Sequence, residues 1–92
     1  MFQWVMNQSI YSFTDYKAFV LETIESMENQ GRGVRRRIAE FIGCQVAYVS
    51  QVLAADRHFS LEQGEALARF LGLLEDETEF LFLLIEHARA GT

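Results

Sequence analysis

Apolar positions along this 92-residue chain recur at spacings of three and four rather than two, the pattern of helices that bury one face. Valine, isoleucine and threonine never gather into alternating runs, and proline is absent, so the pattern predicts an all-α chain with no forced helix break. Five helices follow from it. The first runs from about Thr14 to Gln30, with Thr14 as N-cap, Asp15 in the first turn, and Tyr16, Phe19, Val20, Ile24 and Met27 as its apolar stripe. Gly31 ends it, and GRG at 31–33 reads as a turn. The second covers Val34 to Ile42 and faces inward with Val34, Ile38, Phe41 and Ile42; Gly43 stops it. The third spans about Val46 to Ala54 and buries Val49, Val52 and Leu53, and DRHF at 56–59 is a loop.

The fourth helix, about 61–71, starts with the clearest local signal in the chain. Ser60 and Gln63 match a capping box, in which each side chain satisfies the other residue's free N–H. Leu61, Leu67, Phe70 and Leu71 form its expected buried face, and Gly72 closes it. The fifth covers about 77–90, with Asp76 as N-cap and Glu79 three residues on. Its centre, FLFLLI at 80–85, fits a strand by periodicity alone. The leucine and phenylalanine content, the acidic start and the basic end at Arg89 favour a helix.

Composition narrows the class. Half the residues are apolar, and a chain of this length closes one core without disulfides or a structural metal. The single cysteine, Cys44, has no intramolecular partner and fits a reducing cytoplasm. The opening MFQWVMNQSIYSF lacks the charge, run length and cleavage site of a signal peptide, and FLFLLI is far too short to cross a bilayer. The expected location is therefore cytoplasmic. Charge is distributed unevenly. The formal total is −5, yet residues 32–58 sum to +3, while 1–31 sum to −3 and 59–92 to −5. Three of the eight basic residues are consecutive, at 35–37, in RRRIAEFIGCQVAYVSQVL.

Two helices joined by a tight turn around Gly43 make a helix-turn-helix arrangement. Ala39 is small where the helices cross, Gly43 suits a left-handed backbone, and Val49 plugs the gap between the helices. With the long helix before it and ALARFLGL after it, the stretch from 14 to 85 resembles a lambda-repressor-like, Cro/C1-type helix-turn-helix domain. FTDYKAFV, GCQVAYVSQVLAADRHFSLEQGEALARFLGL and ETEFLFLLIEHARAGT resemble the N-terminal part of a bacterial family of transcriptional regulators. Members of that family continue into a C-terminal domain of unknown function. The resemblance implies five lambda-repressor-like helices in a domain over 14–92, with 1–13 as an N-terminal arm, and either a further domain beyond ARAGT or a short member of the family. It implies a sequence-specific DNA-binding regulator whose 46–54 helix enters the major groove. Gln45, Val46, Ala47, Ser50 and Gln51 then lie nearest the base edges. Gln51 is the best reader, because glutamine bonds adenine N6 and N7 together, whereas Val46 and Ala47 offer only contact with thymine methyls. Tyr48 either reaches a phosphate or packs on the first helix. Arg35, Arg36 and Arg57 are expected on phosphates, where cationic side chains supply most nonspecific affinity.

Enzymatic readings find little support, and the expectation is a non-enzyme without cofactor or metal. His58 and His87 are far apart, Cys44 has no partner at metal-ligand spacing, GRG lacks the lysine of a phosphate-binding loop, and EDETE lacks calcium-loop spacing. Cys44 reads as a small buried filler, and His87 as a complement to its helix dipole. The competing class is a protein-interaction or oligomerisation module that uses the same helices without DNA. FLFLLI bears on assembly, because it places apolar side chains all around a helix. Some of Phe80, Leu81, Phe82, Leu83, Leu84 and Ile85 are expected to stay uncovered, with Phe2 and Trp4, and to meet a second copy or the further domain.

Overall fold

The computed structural model describes residues 9–27 and 32–91. It is all-helical among those residues: a 3-10 turn at Ile10–Ser12 precedes α1 (Tyr16–Glu25), α2 (Val34–Ile42), α3 (Val46–Ala54), α4 (Leu61–Leu71) and α5 (Glu75–Ala90). Phe2, Trp4, Gln30 and Gly31, which the pattern assigns to an apolar arm and to the end of the first helix, lie outside the described residues.

Three helices begin and end where their local chemistry dictates. Gly43 and Gly72 close α2 and α4 in the left-handed region, at φ 89° and 73°, where a Cβ would clash with its own backbone. At the start of α4, Ser60 Oγ accepts from Gln63 N at 3.1 Å and Gln63 Oε1 accepts from Ser60 N at 2.9 Å, a complete capping box.

The other two helices differ from the pattern at their ends. Asp15 rather than Thr14 caps α1, its carboxylate accepting from Lys17 N at 3.0 Å. That helix stops at Glu25, because Ser26 Oγ donates to Thr23 O at 2.8 Å and Met27 N to Ile24 O at 3.1 Å, closing the last turn tightly. The last helix starts at Glu75 instead of 77. Glu77 carboxylate accepts from Leu74 N at 2.8 Å, and Thr78 hydroxyl donates to Leu74 O at 2.9 Å, so the cap lies at Leu74 and Asp76 falls in the first turn.

The core draws on every element. Ile10, Phe19, Val20, Ile38, Val49, Val52, Phe59, Leu67, Leu81 and Ile85 are all buried in one cluster, each worth roughly 1.5–3 kcal/mol when fully removed from water. Two inward assignments fail. Phe41 is 51% exposed and Leu61 38% exposed. A nine-residue helix aims Val34 and Ile38 at the core, and Phe41 sits about 100° from Ile42 around the axis, on the outer side. Its ring meets Phe70 instead, with centroids 5.7 Å apart.

The apolar segment of α5 is corrected more strongly. Leu81, Leu84 and Ile85, expected at a surface patch, are core residues of the chain itself. The helix is covered on more than one side, by α4, by α1 and by the 3-10 turn, whose Tyr11 ring lies tilted at 54° with its centroid 5.0 Å from that of Phe80. Only Leu83 is well exposed, at 61%, with Phe80 and Phe82 half-buried. Ile10, just before the expected start of the domain, is fully buried.

Candidate nucleic-acid interface

The α2–α3 pair is joined by Gly43, Cys44 and Gln45. Ala39, buried on α2, accepts at its carbonyl from both Gly43 N (2.8 Å) and Cys44 N (2.9 Å), so the turn folds back onto the helix it leaves. Cys44 is a half-buried filler whose thiol burial pushes up, away from the reactive thiolate. On α3, Val49, Val52 and Leu53 point into the core. They hold the helix so that Val46, Ala47, Gln51 and Ala54 are exposed and Ser50 half-exposed on the opposite side. Gln45, preceding the helix, is exposed too. The five residues read from the sequence thus form the accessible side of one helix and its approach. Ala54 completes that strip and escapes the sequence pattern, because a lone alanine at a helix end carries no chemical signal.

The strip is short of hydrogen-bonding groups. Gln51 and Ser50 are its polar side chains along the helix, and Val46, Ala47 and Ala54 present methyls. Small side chains allow the backbone to approach another surface closely.

The arginines fan out. Arg36 and Arg37 are exposed and Arg35 half-buried, since successive residues on a helix are about 100° apart. All three lie in the first turns of α2, whose N-cap, Gly33, offers no side chain to cap it. This is the end of a helix where free N–H groups and the macrodipole already make the potential positive. An anion placed there meets both sets of charges.

Arg57 is exposed in the loop after α3, its guanidinium carbon 5.8 Å from the centre of the Tyr48 ring, within cation–π range. Tyr48 does not offer its hydroxyl outward. It donates to His58 O at 2.7 Å, and its ring packs edge-on against Phe59. Tyr16 hydroxyl stands 3.0 Å from His58 Nδ1 and accepts from Phe59 N at 3.4 Å. Burial pushes the Tyr16 hydroxyl up to about 12, so it stays protonated and donates to His58, whose Nδ1 then carries no proton. Burial, with Lys17 and Arg89 nearby, lowers the His58 pKa against the opposing pull of Asp56 and Asp15.

Among the described residues, no helix is long and apolar enough to cross a membrane. Compared with protein-family models, curated proteins and solved structures, the chain matches none.

Proposed function

We propose that this protein is a sequence-specific DNA-binding regulator, with α2 and α3 as a lambda-repressor-like helix-turn-helix and α3 in the major groove. The observation that carries this reading is the sign of the charge at the start of α2. Arg35, Arg36 and Arg37 occupy the first turns of an uncapped helix, where cations oppose the dipole by roughly 0.3–1 kcal/mol each at exposed sites. Helix stability gives no reason to put them there. A DNA phosphate does, because it is drawn by the arginines and by the helix end together. Arg57 supplies a second cationic point on the far side of α3 in sequence, and the exposed strip lies between them along the chain.

The strip sets how sharply sequence is read. Gln51 is the one residue within the helical part of the strip able to make a bidentate bond to adenine, with Gln45 at its approach, and Val46 and Ala47 suit thymine methyls. Fluorescence anisotropy with a selected duplex and a random one tests this. Gln51→Ala is expected to cost roughly 1–3 kcal/mol on the selected duplex and little on the random one. Equal losses on both would remove Gln51 from base readout. The apolar character of Val46, 38% exposed, favours a second reading, in which α3 docks on another protein. Failure of the unmodified protein to bind any duplex in low salt would select that reading. Pairing of two copies through α5 has less surface than the sequence suggests, since only Leu83 and the half-buried Phe80 and Phe82 remain for it.

A further inference from the structure

The segment from Ala55 to Phe59, between α3 and α4, has no regular structure, yet side chains from two helices pin its backbone. Lys17, in the first turn of α1, extends its ammonium to Ala55 O at 2.5 Å and Arg57 O at 2.8 Å. Tyr48, on α3, takes His58 O, and Tyr16 takes Phe59 N. Phe59 then enters the core between the rings of Tyr16 and Tyr48, with centroids 6.4 Å and 6.2 Å away. The exposed side chains of this pinned segment are those of Ala55, Asp56 and Arg57.

Of these anchors, Lys17 is the one whose chemistry exceeds what packing requires. Tyr16 is fully buried and Tyr48 half-buried, and each fills space in the core or its edge. Lys17 brings a full positive charge to the C-terminal end of α3, where unpaired carbonyls gather partial negative charge. Its two bonds span the helix cap at Ala55 and the residue that carries the exposed guanidinium. An arginine on a free loop would have to be ordered each time it met a phosphate, at a cost in side-chain and backbone entropy. An arginine on a pinned loop has already been ordered by folding.

We propose that Lys17 is a positioning residue for the DNA interface. Its ammonium is committed to protein carbonyls, fixes the end of α3 against α1, and holds Arg57 ready for a phosphate. This inference rests on the DNA-binding reading above and adds to it a residue outside the contact surface.

Two measurements on the full chain test it. In the first, Lys17→Met and Lys17→Arg are made in the unmodified protein, and Lys17→Met also in an Arg57→Ala background, and duplex affinity is read by anisotropy in low salt. Lys17→Met is expected to weaken binding roughly tenfold when Arg57 is present and less than twofold when it is absent, because coupled residues are not additive. Lys17→Arg, which keeps a charged donor, is expected to restore most of the loss. The second measurement follows amide hydrogen exchange in the free protein. Lys17→Met is expected to speed exchange at Arg57, His58 and Phe59 and to leave Leu67 and Leu71 on α4 unchanged.

Equal losses in both backgrounds would mean that Lys17 contacts DNA itself, and would overturn the proposal. So would unchanged exchange across 57–59. Duplex binding absent from the unmodified protein would refute the DNA reading, and the role of Arg57 with it. The exchange result would then still decide independently whether Lys17 anchors the loop.

Discussion

The two halves of this molecule use charge for opposite ends. In the α4–α5 half, charge agrees with the helices that carry it. Glu62 opens α4 and Arg69 closes it, while Glu75, Asp76 and Glu77 open α5 and Arg89 closes it. Every one of these signs complements the macrodipole. The capping box at Ser60 adds two satisfied N–H groups to the same end. In the α2–α3 half, neither helix has a side-chain N-cap, α2 begins with three arginines, and α3 carries no charged residue. Such a half depends on burial for its stability, through Val34, Ile38, Val49, Val52 and Leu53. The contrast separates charges that complement the helices carrying them from charges, at 35–37, that oppose the helix they sit on.

The contrast yields predictions of decreasing size. Removing the apolar side that α5 turns inward attacks the half that is best built. Leu81→Ala is expected to cost roughly 2–5 kcal/mol in urea unfolding, the range for a fully buried leucine. A cost below about 1 kcal/mol would return Leu81 to the surface, as the sequence pattern implies. Next in size is the arginine pair. Arg35→Ala with Arg36→Ala is expected to leave stability unchanged or raised by up to roughly 2 kcal/mol, about 1 for each arginine. The same change should lower affinity for all duplexes on the order of tenfold and reduce the salt slope by up to about 0.9 for each phosphate no longer neutralised. Loss of stability with unchanged binding would invert the comparison.

Smaller still is the cap. Ser60→Ala is expected to lower stability by about 1 kcal/mol, with DNA affinity unaltered under folding conditions, because Ser60 lies outside the surface proposed to meet DNA. The smallest effect concerns pH. The folded protein holds His58 below its ordinary pKa of 6.5, so the unfolded chain binds its proton first. Stability should therefore be intact above that value and fall slightly as pH drops from 6.5 through the folded pKa. His58→Gln should remove that step from thermal melts run across the same range.

How far the sequence reveals this arrangement depends on where each piece of information is stored. The boundaries of α2, α3 and α4 are legible because single residues define them: Gly43 and Gly72 need a left-handed backbone, and Ser60 with Gln63 forms a local closed pair. The two displaced starts are also local, but each offers rival candidates. Asp15 competes with the adjacent Thr14, and Glu77 can reach back to Leu74 where Asp76 alone looks like a cap. The burial of Leu81, Leu84 and Ile85 is not legible, because it depends on elements far away in the chain meeting the same helix. The accessible strip on α3 is readable from the three positions that bury Val49, Val52 and Leu53. Lys17 is invisible, since nothing in its surroundings says that its ammonium will meet carbonyls some forty residues later.

The contact of the Tyr11 ring with Phe80 has a further consequence, in the time order of assembly. It joins positions about 70 residues apart, whereas the bonds that shape the turn after α2 close rings of a few residues. Closing a loop of 70 residues costs roughly 1.7 kcal/mol more in chain entropy than closing one of ten. Helical turns and short loops form within about a microsecond, well before such a ring is favourable. The α2–α3 pair is thus available as a local hairpin early, and the contact between the 3-10 turn and α5 acts as a clasp that fastens last. A fault introduced at the clasp, in Tyr11 or Phe80, would be felt first as faster unfolding of the whole and only afterwards at the surface proposed to meet DNA.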